Sequence, residues 1–113
     1  MTAPATDLIW RGRETIEAAT AALAQASDVA LHLPAELHHA VAMRLGVDVL
    51  ADHVEGVNVT GGPELISRLS GIRGLEPLVA LVPSIEQARA RVQVLSPSPT
   101  VAIRCAGSEA RPT

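Results

Sequence analysis

The chain has 113 residues, 48% of them apolar, with a formal net charge of −3 from 12 acidic and 9 basic side chains. That length suits one domain with its own core, and a lone cysteine, Cys105, excludes an internal disulfide or thiolate metal cluster and fits a reducing cytoplasm. Every basic residue is Arg, no basic stripe is visible and Trp10 is the single aromatic, so nucleic acid is excluded as an expected partner.

Residues 1–6 are small and polar, lacking the basic start and apolar run of a leader, and no stretch nears the ~20 apolar residues of a membrane helix. The chain therefore reads as cytoplasmic and not membrane-inserted. Residues 8–11 predict a short strand, and Gly12 turns it into a helix over 14–26, where Ile16, Ala19, Ala22 and Leu23 share a face. The run VALHL, 29–33, predicts a central strand buried on both faces. Pro34 ends it. From there to Val54, apolar residues Leu37, Val41, Leu45, Val49 and Leu50 recur with Asp48 and Asp52 opposite, predicting a helix over at least the second half that starts either at Pro34 or near Ala42.

Gly56 precedes a third strand, 57–60, and Gly61-Gly62-Pro63 leads into a helix with Leu65, Ile66 and Leu69 on one side. Gly71 and Gly74 supply its end and a turn. The run LVALV, 78–82, predicts a fourth strand, and Ser84 with Gln87 forms a capping box that opens a last helix reaching about residue 95. Ser96-Pro-Ser-Pro breaks the chain, after which 100–105 alternates as a strand that would add to a sheet edge, in this molecule or a neighbouring one. Short apolar runs alternating with helical stretches imply βαβ units: an α/β fold with a mainly parallel or mixed four- to five-stranded sheet and about four helices, covering 1–95, with a Pro/Ser-rich tail over 96–113.

The order of these pieces resembles the STAS domain, the module named after sulfate transporters and anti-sigma factor antagonists. GRETIEAATAALAQA (12–26) is similar to that family's turn into its first helix, DVALHL (28–33) to its central strand, LGVDVLADHVEGVNVTGG (45–62) to its second helix and next strand, and RGLEPLVALVPSIEQARARV (73–92) to its last strand and helix. The resemblance implies a non-catalytic protein-interaction module without a cofactor. It also implies partners: an anti-sigma factor or kinase, another STAS protein, a transporter component or a second copy. The family's switch members carry a phosphorylated Ser at the start of the second helix; here Val41, Ala42, Met43 and Arg44 stand there, with no hydroxyl to accept phosphate. A domain so altered would bind constitutively or be regulated by abundance, since the charge that a phosphoserine adds has no place to form. The docking face this implies comprises His38, His39, Ala42, Met43 and Arg44.

The residues that bear chemistry read as structural. His38 and His39 are adjacent and diverge by about 100° on a helix, so a metal site from them with His53 and Glu36 is not expected. His32, within an apolar strand, is expected buried and neutral, with no nucleophile or paired carboxylate at catalytic spacing. Thr60-Gly-Gly-Pro has neither the Lys of a P-loop nor a dinucleotide fingerprint and reads as a helix-entry turn. The alternative to an interaction module is a small ligand-binding protein or enzyme working at the carboxyl ends of the strands through Asp28, His32, His38 and Thr60, or a self-associating subunit of a larger complex.

Overall fold

A computed structural model describes residues 6–25, 27–46, 56–92 and 100–106. In chain order these form β1 (Thr6–Ile9), α1 (Arg13–Ala24), β2 (Val29–Leu33), a 3-10 turn (Ala35–Leu37), α2 (His38–Leu45), β3 (Val57–Gly61), α3 (Pro63–Leu69), a second 3-10 turn (Glu76–Ala80), α4 (Leu81–Val92) and β4 (Val101–Cys105). The result is an α/β protein with a mixed four-stranded sheet and four helices among the described residues.

The sheet order is β1-β2-β4-β3, with β1, β2 and β4 parallel and β3 antiparallel to β4. The predicted tail strand is thus a central strand, not an addition to an edge: Val101, Ile103 and Cys105 are at most 2% exposed. Side chains alternate across a sheet, and a single parity faces the core. Leu8, Val29, Leu31, Leu33, Val57, Val59, Val101, Ile103 and Cys105 all join the hydrophobic cluster that α1 to α4 complete. The other parity, Asp7, Ile9, Ala30, His32, Asn58, Thr60, Ala102 and Arg104, lies outside that cluster. Among the described residues the helices cover one face of the sheet; on the other, Ala30 is still 0% exposed and only His32 is half-exposed, so the expectation of a β2 buried on both faces fails at His32 alone. VALHL reads as continuously apolar because an Ala occupies its outward position, where a larger polar residue would have shown the alternation.

Residues 78–82, expected as a strand, are helical. Leu75, Leu78, Leu81, Ile85 and Ala88 are all buried at steps of three or four, whereas Val79 and Ala80 are exposed, so the helical period prevails over the apolar run. Pro77 is the second residue of the 3-10 turn and Pro83 falls in the first turn of α4, where a missing N–H costs little. Because α4 begins at Leu81, Ser84 does not cap it; its hydroxyl donates instead to Thr20 Oγ1 on α1 at 3.3 Å.

Between β2 and β3, α2 begins at His38 and ends at Gly46, which takes the left-handed conformation (φ 76°) that favours glycine at a helix end. The expected helical positions Asp48, Val49, Leu50 and Asp52 lie outside the described residues. The β1–α1 turn is fastened by Thr15, 4% exposed. Its hydroxyl donates to the Ile9 carbonyl at 2.9 Å and accepts from the Arg11 N–H at 2.6 Å, satisfying two backbone groups of the turn.

Candidate functional site

On α2 the residues His38, Val41, Ala42 and Leu45 are buried. Their spacing of three, one and three places them on one helical face. The five residues expected to dock a partner therefore divide. His38 (2% exposed) and Ala42 (0%) belong to the interior, while His39, Met43 and Arg44 reach the surface. Met43 is 62% exposed and, with Ile9 and Val79, is one of the exposed large apolar side chains among the described residues.

Those three residues form one wall of a groove of about 560 Å³, completed by Ala40 and by Gly71, Ile72 and Arg73 from the turn after α3. Two arginines hold the walls together. Arg44 donates to the carbonyls of Ser70 and, at 3.4 Å, Arg68, at the end of α3, and Arg68 donates to the Leu45 carbonyl at the end of α2 at 2.9 Å. Each cation thus serves carbonyls that a neighbouring helix leaves without intrahelical partners, where the helix dipole also favours positive charge. The far wall is further pinned by Trp10, whose Nε1–H donates to the Gly74 carbonyl at 3.0 Å.

The groove's ionisable lining is wholly basic: His39, Arg44 and Arg73. The nearby Glu76 carboxylate accepts the Gly74 N–H at 3.1 and 3.2 Å. Its own backbone N–H, then that of Gly74 and the charge of Arg73 hold it below the usual carboxylate range. The sequence suggested the α2 wall but missed the one formed by Gly71, Ile72 and Arg73. Gly71 and Gly74 marked a turn there, but nothing local showed that it would fold back against α2.

The residues of the ligand-binding alternative do not converge. Asp28 accepts the Thr100 N–H at 3.0 Å at the amino end of β2, His32 lies near the carboxyl end, Thr60 stands beside Ala102, and His38 is inside. His32 is not buried: its side chain is 41% exposed, with Nε2 3.1 Å from Asp7 Oδ1. It points away from the face that the described helices cover. Cys105 is buried, donates through Sγ to the Pro34 carbonyl at 3.2 Å, and has its thiol pushed up to about 11 by desolvation. Among the described residues no three His, Cys, Asp or Glu side chains gather as a metal site, and no helix is long and apolar enough to cross a membrane; His53 lies outside them. Pro63 occupies the first turn of α3 after Gly61 and Gly62, as a helix-entry turn requires. In comparison with known proteins, the chain matches no family model, no curated protein and no solved structure.

Proposed function

We propose that this chain is a non-catalytic protein-interaction module that docks a partner in the groove between α2 and the turn after α3. The observation that carries this reading is Met43, held in water at 62% exposure beside a rim of His39, Arg44 and Arg73. Met and Arg are enriched at interfaces, where an apolar anchor inside a charged rim supplies both affinity and register. A complementary partner presents an apolar side chain flanked by carboxylates. With no hydroxyl among Val41, Ala42, Met43 and Arg44, this wall is not switched by phosphorylation.

The STAS resemblance would make the partner an anti-sigma factor, a kinase, a second STAS protein or a transporter component. Residues 78–82, aligned there with a last strand, are helical, so the docking argument rests on the groove and not on that likeness. The test is to identify co-purifying proteins from the source cells, purify the best candidate, and measure its affinity for the wild type, Met43→Asp and Arg73→Glu. Both substitutions should weaken binding by about tenfold or more. Unchanged affinity for both refutes the groove.

A further inference from the structure

The face of the sheet opposite the described helices carries a feature that the groove does not use. The two central strands repeat one pattern, Val-Ala-Leu-His-Leu in β2 and Val-Ala-Ile-Arg-Cys in β4. Parallel pairing in register sets Ala30 beside Ala102 and His32 beside Arg104, and antiparallel pairing sets Asn58 on the other side of Arg104. Adjacent strands are about 4.8 Å apart, so His32, Arg104 and Asn58 form one polar row across three strands. The neighbouring row has two small residues at its centre, Ala30 and Ala102, both buried. On the other side of the polar row, at the carboxyl ends of β2 and β4, lies a cavity of about 280 Å³ lined by His32, Leu33, Asn58, Arg104, Cys105 and Ala106.

The charge of Arg104 has no partner among the described residues: it makes no ion pair and no side-chain hydrogen bond with them. Asp7, the acid on this face, is engaged with His32 Nε2 at 3.1 Å. It stands on β1 level with Ala102, two strand spacings and two residues from Arg104, or about 12 Å. The row also lies toward the carboxyl ends of the parallel strands β2 and β4, the end at which open α/β sheets receive ligands.

We infer that this row is an oxyanion site that takes the carboxylate or phosphate group of a small molecule. The guanidinium of Arg104 offers the two-pronged donor geometry that matches such groups. The Asn58 amide adds a donor from the next strand, and His32, steadied by Asp7, forms the opposite wall. The cavity is smaller than the ~300–1,000 Å³ of ordinary ligand pockets, which suits a compact anionic group and not a whole nucleotide. This face is turned away from α2, so the inference stands or falls independently of the groove.

The test is an NMR titration of the isotope-labelled full chain with sodium phosphate and, separately, sodium acetate, at pH 7 and constant ionic strength. Saturable shifts of the Arg104 Nε–H and Asn58 side-chain amide signals are expected. Arg104→Gln, an exposed change, should weaken binding by about tenfold or more, while Arg73→Gln in the groove leaves it unchanged. Saturation by both anions assigns a general oxyanion site, by phosphate alone a phosphate-ester site, and by acetate alone a carboxylate site. Failure of both to saturate, or an Arg104→Gln variant that binds like the wild type, overturns the inference.

Discussion

Replacing Ile103 with Ala tests the least expected feature of the fold, the central position of β4. Ile103 is 0% exposed and stands between Leu31 on β2 and Val59 on β3, within the main core. The substitution removes three buried carbons, worth about 0.8 kcal/mol each on transfer. A residual cavity adds to this because the flanking strands cannot close it fully, giving an expected loss of about 3–4 kcal/mol. A domain stable by only ~5–15 kcal/mol registers such a change clearly. Urea unfolding followed by far-UV circular dichroism and by the fluorescence of Trp10 reads it. The indole packs against the core and is tied to Gly74, so both probes should move to the same lower midpoint with the slope unchanged. The adjacent exposed substitution Arg104→Ala should stay within about 0.5 kcal/mol. An Ile103→Ala loss below about 1 kcal/mol would mean that β4 is not sandwiched between β2 and β3, and the register would fall with it.

Thr15→Val keeps the shape of the side chain but leaves the Ile9 carbonyl and Arg11 N–H without their shared hydroxyl; a loss of about 1–3 kcal/mol is expected in the same urea assay, and a neutral effect refutes the role of that hydroxyl. Cys105, with its thiol at about 11, should be thiolate in only roughly one molecule in a thousand at pH 8, so an aromatic disulfide reagent should label it slowly in the native state and rapidly in urea. Labelling of the native protein at the free-thiol rate would contradict its burial. The Glu76 carboxyl should titrate below the ordinary carboxylate range when followed by carbon NMR. Since its pKa is lowered by folding, its contribution to stability is complete above the unfolded-state value and is lost as pH falls through the folded-state one; a midpoint at or above the ordinary range removes the proposed hydrogen bonds to the Gly74 turn.

The candidate surfaces were legible to different depths. Helical spacing along 38–45 already separates His38, Val41, Ala42 and Leu45 from His39, Met43 and Arg44, so the division of the α2 face could be read from residue order. The facing wall could not, because the turn of Gly71, Ile72 and Arg73 is brought to α2 by the shared core around Ile72 and by the crossed bonds of Arg44 and Arg68, whose partners lie more than twenty residues away. The row of His32, Arg104 and Asn58 was half visible: the common pattern of VALHL and VAIRC is in the sequence, but the register that aligns them is not.

Residue order by itself determined the α/β class, the first and third helices and the bounds of all four described strands to within two residues, because apolar periodicity and Gly or Pro punctuation act locally. Two matters were decided by tertiary structure alone. Residues 78–82 became helical because the buried positions at steps of three or four could all meet one core, an outcome that a short aliphatic run cannot signal. Residues 101–105 became central because pairing partners are chosen by long-range burial, and a strand's own sequence carries its two faces but not its neighbours.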